Sequence, residues 1–243
     1  AAMSMKYLGE CFDIHTSSRE LVFPHHENEN AISAAITGKP LAKFWVHCER
    51  VLMDGKKLDE KSAELTMVDL MNMGYSGRVI RFWLLSSHYR KPIPFSKERL
   101  DNAQRAVERL DQCMSNLRNV KQGQPYAEIE QLLYDLKNGF SSALDDDLNI
   151  SAALATIFTI VKRTNTLILK KQLHSKDASK IVDGFRSIDA VLNIFNFFDY
   201  YADPEIQRLL NQRDKARFEK NWALADEIRN ELKSRGVIVQ DQS

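Results

Sequence analysis

Apolar residues in this chain follow two rhythms. From about Thr66 onward they return every three or four positions, and before it they gather in short dense blocks. A helix repeats its faces every 3.6 residues and a strand every two, so the rhythms predict different elements. CFDIH (residues 11–15) and FWVHCERVLM (residues 44–53) are rich in Phe, Val, Ile and Trp and are predicted as strands. Between them ENENAISAAIT has a helical pattern that stops at Gly38-Lys39-Pro40. A strand, a loop, a helix and another strand predict part of an α/β sheet. It is only part, because a self-contained nucleotide-binding sheet needs more strands.

Beyond Thr66 the strand signal nearly vanishes. Val79, Phe82, Trp83, Leu84 and Leu85 predict a short apolar helix that stops near Lys91-Pro92. Leu100, Ala103, Val107, Leu110, Met114 and Leu117 line one face of a long helix, with Ser96 as its N-cap. GQPY (residues 123–126) breaks the pattern. A second helix follows with Ile129, Leu132, Leu133, Leu136 and Phe140, a third from about Ser151 to Leu173, and a fourth from about Lys176 to Phe198. Short connections between long helices imply antiparallel neighbours in a bundle. Asp203-Pro204 opens a last segment of two short helices, with Asn221 capping the second, Gly236 stopping it, and VIVQD as a terminal strand.

Composition narrows the class without naming a chemistry. The apolar set is 44% and the charged set 28%, which is globular rather than disordered. Lys+Arg number 34 against Asp+Glu 33, so no basic excess demands a nucleic acid, though local patches remain possible. Cys11, Cys48 and Cys113 are odd in number and widely spaced, which excludes a disulfide framework and fits a reducing compartment. No uninterrupted apolar run reaches a membrane-spanning length, and AAMSMKYLGE lacks the apolar core of a signal peptide. A cytoplasmic protein without a membrane span is expected.

Four clusters are candidates for chemistry. In FPHHENEN (residues 23–30) Pro24 suits a first helical turn, which would set His25 and Glu29 at i and i+4 on one face, within reach of one zinc ion. The same residues read equally as a polar helix start whose carboxylates complement the dipole, with His26 and Glu27 as another possible pair. In MDGKKLDEKS (residues 53–62) a turn precedes a lysine-rich loop, which could neutralise a polyphosphate or be a solvated turn. SALDDDLN (residues 142–149) suggests a cation site, or more simply the start of the next helix. Arg208, Arg213, Lys215, Arg217, Lys220, Arg229, Lys233 and Arg235 could meet phosphates, but interleaved acids favour a solvated helix face.

These motifs together resemble cysteinyl-tRNA synthetase, a class I aminoacyl-tRNA synthetase, along its C-terminal half. The resemblance rests on AMSMKYLG-CFDIH with LVFPHHENE, on FWVH followed by MDGKK, on GYSGRVIRFWLLSSHYRKPIPFS, on ALDDDLNISAAL, and on RDKARFEKNWALADEIRNELKSRGVIVQD. It implies a mostly α fold with a small α/β part. Residues 1–65 would end a Rossmann-like catalytic domain, 66–122 would form a stem-contact-like helical segment, 123–200 a helical bundle and 201–243 an anticodon-binding-like segment. It implies ATP with magnesium, cysteine and a cysteine-specific tRNA as reactants, zinc as cofactor, and a monomer. It implies His25 and Glu29 as two of four metal ligands, where zinc would hold the cysteine thiolate and select soft sulfur. His15, Trp45 and His47 would bind substrate or ATP, and Lys57 and Lys61 would be the catalytic lysines of the signature loop.

The sequence also departs from the family pattern. The HIGH motif and two cysteine ligands would fall upstream of Ala1. The glycine-rich run HGGGIDL reads His15-Thr16-Ser17-Ser18-Arg19-Glu20-Leu21, which adds bulk where backbone should approach a ligand. The loop KMSKS reads Lys57-Leu58-Asp59-Glu60-Lys61-Ser62, with Glu60 in place of its second lysine unless Lys61 shifts in. Three readings follow: part of a working ligase, a paralogue retained as a tRNA-binding or regulatory module, or a cysteine ligase acting on an amino sugar. This chain by itself is expected to be inactive.

Overall fold

The computed structural model describes residues 1–53, 56–57, 65–197, 204–219 and 221–235. The chain divides into two compact units, Ala1–Asn196 and Phe197–Ser243.

The first unit opens with helix α1 (Ala2–Leu8), which carries no buried residue and was not expected from the sequence. Strand β1 (Phe12–Ser18) then pairs in parallel with β2 (Ala42–Cys48). Helix α2 (Glu27–Thr37) links them and ends at Gly38, whose φ of 69° is the left-handed value that favours glycine. Asn30 staples the helix to the sheet, its Oδ1 accepting from the Leu41 amide at 3.0 Å.

The block FWVHCERVLM is not one strand. It breaks at Glu49-Arg50, and β3 (Val51–Met53) joins a second sheet between β4 (Lys56–Lys57) and β5 (Ile93–Phe95). The break has a physical cause. The Glu49 amide donates to the Tyr89 carbonyl at 2.8 Å, while Glu49 pairs with Arg19 at 3.2 Å and Arg50 pairs with Glu20. These partners turn the backbone away from β1.

Helices then dominate. The sequence pattern missed α3 (Met67–Asn72), which is only six residues long. It is set by a capping box in which Thr66 Oγ1 accepts from the Asp69 amide and Asp69 accepts from the Thr66 amide. Helix α4 (Gly77–Leu85) buries Val79, Ile80, Phe82 and Trp83. Helix α5 (Lys97–Arg118) has the predicted cap, Ser96 Oγ accepting from the Arg99 amide at 3.2 Å, and buries the predicted face together with Cys113. Helices α6 (Ile129–Asp145), α7 (Ile150–Leu169) and α8 (Ser175–Leu192) complete the core around Leu132, Leu136, Ile157, Ile160, Ile181 and Phe185. Each such side chain contributes ~1.5–3 kcal/mol by leaving water.

Two helical ends fall short of the sequence pattern. Helix α7 stops at Leu169 rather than Leu173. Helix α8 stops at Leu192 rather than Phe198, because Asn193 takes a left-handed φ of 51° and Asp189 Oδ1 accepts from the Ile194 amide at 2.6 Å and the Phe195 amide at 3.0 Å. The carbonyls past the end are met by arginines: Arg81 donates to Leu192, Arg78 to Ile194 and Arg118 to Asn196. By length and composition α7 could cross a membrane. Its buried Ala153, Leu154, Ile157, Ile160, Val161, Thr164 and Leu167 instead make it a core helix of the bundle.

The second unit holds α9 (Pro204–Phe218) and α10 (Trp222–Ser234), packed through Ile206, Leu209, Ile228 and Leu232. Asn221 caps α10 as predicted, its Oδ1 accepting from the Leu224 amide at 3.3 Å. Gly236 and VIVQD lie outside the described residues.

Candidate functional site

The parallel β1–β2 register sets Ser17 opposite His47 and His15 opposite Trp45. Strand side chains alternate, so His15, Trp45 and His47 share one face of the sheet. A π-turn over Val22–His26 precedes α2, so the helix starts at Glu27 rather than at Pro24. That turn lays His26 over the same face, where it is buried.

Four rings therefore converge. His15 stacks on Trp45 at 4.3 Å between centroids, and His26 sits 5.1 Å from both. His26 Nδ1 and His47 Nε2 lie 3.1 Å apart, so one donates a hydrogen bond that the other accepts. Burial lowers the His26 pKa, and the neighbouring His15 and His47 lower it further, so that ring stays neutral at physiological pH. Glu29 closes one side, its carboxylate 3.3 Å from His15 Nε2. The result is an aromatic cluster in which His15 and Trp45 stack and the tilted His26 ring bonds His47, with the Glu29 carboxylate at its edge. It suits a planar ring or a polar group that both donates and accepts, and it contains no nucleophile–base pair.

The other candidate residues are placed as follows. His25 is exposed in the π-turn, and Glu29 faces His15. Lys57 lies on β4, paired in register with Leu52, while Glu60 and Lys61 lie outside the described residues. Thr16, Ser17 and Ser18 continue β1, so the run that replaces glycines is regular strand. His26 is the site residue that sequence reasoning left as an alternative. Its signal was the His-His pair beside a proline, since one histidine of such a pair turns inward when the other is exposed.

Among the described residues no group of three or more His, Cys, Asp and Glu side chains could hold a metal ion. The Glu29 carboxylate is already engaged by His15. Two ligands fall short of the three that a zinc site takes from protein.

In the acidic motif Asn149 Oδ1 caps α7 by accepting from the Ala152 amide, whereas Asp147 reaches outside the motif and accepts from Tyr89 Oη and Arg90 Nε, each at 2.6 Å. In the second unit Arg208 pairs with Glu205, Arg229 with Asp226 and Arg235 with Glu231.

Comparison with known proteins is consistent along the chain. Residues 1–105 match the class I (C) tRNA synthetase catalytic domain, 139–196 the DALR domain, and 202–243 the cysteinyl-tRNA ligase anticodon binding domain. A cysteine–tRNA ligase of Thermodesulfovibrio yellowstonii is 36% identical over 266 residues, covering 100% of this chain and 54% of that protein. The Chlamydia felis enzyme is 38% identical over 248 residues, covering 98% and 51%. The chain spans about half the length of the curated relatives it matches. A chain of the Agrobacterium radiobacter K84 agnB2 LeuRS–tRNA–LeuAMS ternary complex shares the fold, with a TM-score of 0.61 at 14% identity over 75% of this chain and 26% of that one. Three family models in sequence order and relatives matched across the chain show that it belongs to the cysteine–tRNA ligase family of class I aminoacyl-tRNA synthetases.

Proposed function

We propose that this chain serves the ATP-dependent attachment of cysteine to a cysteine-specific tRNA, contributing part of the substrate site and the tRNA-binding modules. The observation that carries the reading is the convergence of His15, His26, Trp45 and His47 on one sheet face, in the segment that matches a class I synthetase catalytic domain. Trp45 and His15 would supply a stacking wall for the adenine or the activated amino acid. The hydrogen-bonded His26–His47 pair would donate and accept at substrate polar groups. Lys57, with Lys61, would neutralise phosphate oxygens of ATP–magnesium as pyrophosphate leaves. Residues 1–65 would act as the end of the catalytic domain, 66–122 as the stem contact, 123–200 as the bundle and 201–243 as the anticodon-binding segment. The protein would act as a cytoplasmic monomer.

The test is direct binding of tRNA transcripts to the purified chain. Cysteine-specific tRNA should bind more tightly than a transcript of unrelated specificity, with affinity falling as salt rises. Equal affinity for both transcripts, or none for either, would overturn the reading.

A further inference from the structure

The α6–α7 turn is anchored to a distant loop by a single side chain. Asp147 accepts from Tyr89 Oη at 2.6 Å, from Arg90 Nε at 2.6 Å and from Arg90 Nη2 at 3.0 Å, and His88 Nε2 lies 3.8 Å away. Asp147 and Leu148 both have left-handed backbones, with φ of 52° and 55°. For leucine that conformation is strained. Leu148, itself half exposed, is one of the residues that line an apolar cavity of about 360 Å³ with Cys48, Tyr89 and Ile93. The anchored loop continues to the site described above. The Tyr89 carbonyl accepts from the Glu49 amide and the Arg50 carbonyl from the Ile93 amide, each at 2.8 Å. Residues 49–50 join β2, which carries Trp45 and His47, to β3, which pairs with Lys56 and Lys57 on β4.

We propose that Asp147 is a positioning residue, which holds the 88–90 loop so that the exit of β2 and the strand beside Lys57 keep their placement. The strained backbone at Leu148 is retained beside a turn that delivers the Asp147 carboxylate to Tyr89 and Arg90. A solvated helix start would need no such contact. The bundle's turn thereby sets the geometry at His47, which couples the helical part of this unit to its sheet. The consequence for catalysis rests on the cysteine-ligation reading. The coupling itself does not, so the experiment reads it without turnover.

The full chain is compared with its Asp147→Ala and Arg90→Ala variants by NMR and amide hydrogen exchange. Asp135→Ala, which breaks a 2.7 Å pair with Arg163 on the bundle, is the control. Both test variants should shift the His47 ring signals and speed exchange at the Glu49 amide by about tenfold or more. The control should leave both unchanged. The double variant should show no more than either single change, because the two residues act as one contact. If Asp147→Ala does not fold, Arg90→Ala alone decides, since it leaves the left-handed turn intact. Unaltered His47 signals and Glu49 exchange in a folded Arg90→Ala variant would overturn the proposal. Failure of tRNA binding would overturn the ligation reading and leave these signals as they are.

Discussion

At the scale of the residue, Asp147 and Cys113 show environment overriding type. Hydrogen bonds from Arg90 and Tyr89 lower the Asp147 pKa from 3.8 to about 2. The folded state thus favours the ionised form, so the stabilisation is complete above the ordinary carboxylate range and is lost as pH falls through about 2. A carboxyl-carbon NMR titration should place the midpoint there, and Arg90→Ala should move it back toward the ordinary value. Cys113 is the opposite case. Burial pushes its thiol up to about 12, whereas Cys48 is exposed. A thiol reagent at neutral pH should therefore label Cys48 quickly and Cys113 only after denaturant unfolds the chain; equal labelling of both in the native protein would contradict the core assignment. These outcomes also mark what was legible. Trp45 and His47, two apart in one strand, could be placed on one face by counting, but that His15 joins them follows only from the β1–β2 register. That Asp147 meets Arg90, 57 positions away, could not, because nothing local distinguishes a paired aspartate from a solvated one.

At the scale of the element, the helices were legible wherever their apolar stripe was long. Helix α5 runs over six turns with its serine cap, and its buried positions are those the three- and four-residue spacing selects. What the pattern missed was short or ended by tertiary contact. Helix α3 has too few residues to show a period and depends on its capping box. Helix α8 keeps an apolar stripe through Phe195, but Asp189 and three arginines take over its terminal hydrogen bonds. Substitutions should follow this division. Ile157→Ala or Leu110→Ala, at fully buried positions, should cost ~2–5 kcal/mol. Leu133→Ala should cost less, since Leu133 is only half-buried. Thr66→Ala should cost ~0.5–2 kcal/mol by removing the cap of α3. Chemical denaturation with unchanged m-values measures all four, and a Leu133 effect as large as that of Ile157 would contradict the burial order.

At the scale of the whole molecule, the chain combines two cores and one incomplete sheet. The units Ala1–Asn196 and Phe197–Ser243 each have their own buried cluster. A chain shortened to residues 1–196 should therefore keep the unfolding transition of the bundle and lose tRNA affinity. The β1–β2 sheet has only two strands, and its outer face leaves Ile14 and Phe44, partners in register, 58% and 66% exposed. Parallel sheets are ordinarily covered on both faces. The opposite face, with His15, Trp45 and His47, is packed by the buried His26. Phosphoryl chemistry needs donors preorganised at the developing charge and exclusion of water. The sequence contains no HIGH tetrapeptide, and by resemblance Glu60 falls where the signature loop has its second lysine unless Lys61 shifts in. Losing one electrostatic stabiliser of this kind costs ~10²–10³-fold in rate, and a carboxylate there repels the leaving pyrophosphate as well. We therefore expect the 243-residue chain to show no cysteine-dependent exchange of labelled pyrophosphate into ATP beside a working synthetase. Glu60→Lys in this chain should not restore exchange, since the sequence still holds no HIGH tetrapeptide. Clear turnover by the unmodified chain would overturn the expectation of inactivity and show that Lys57 and Lys61 suffice in the signature loop.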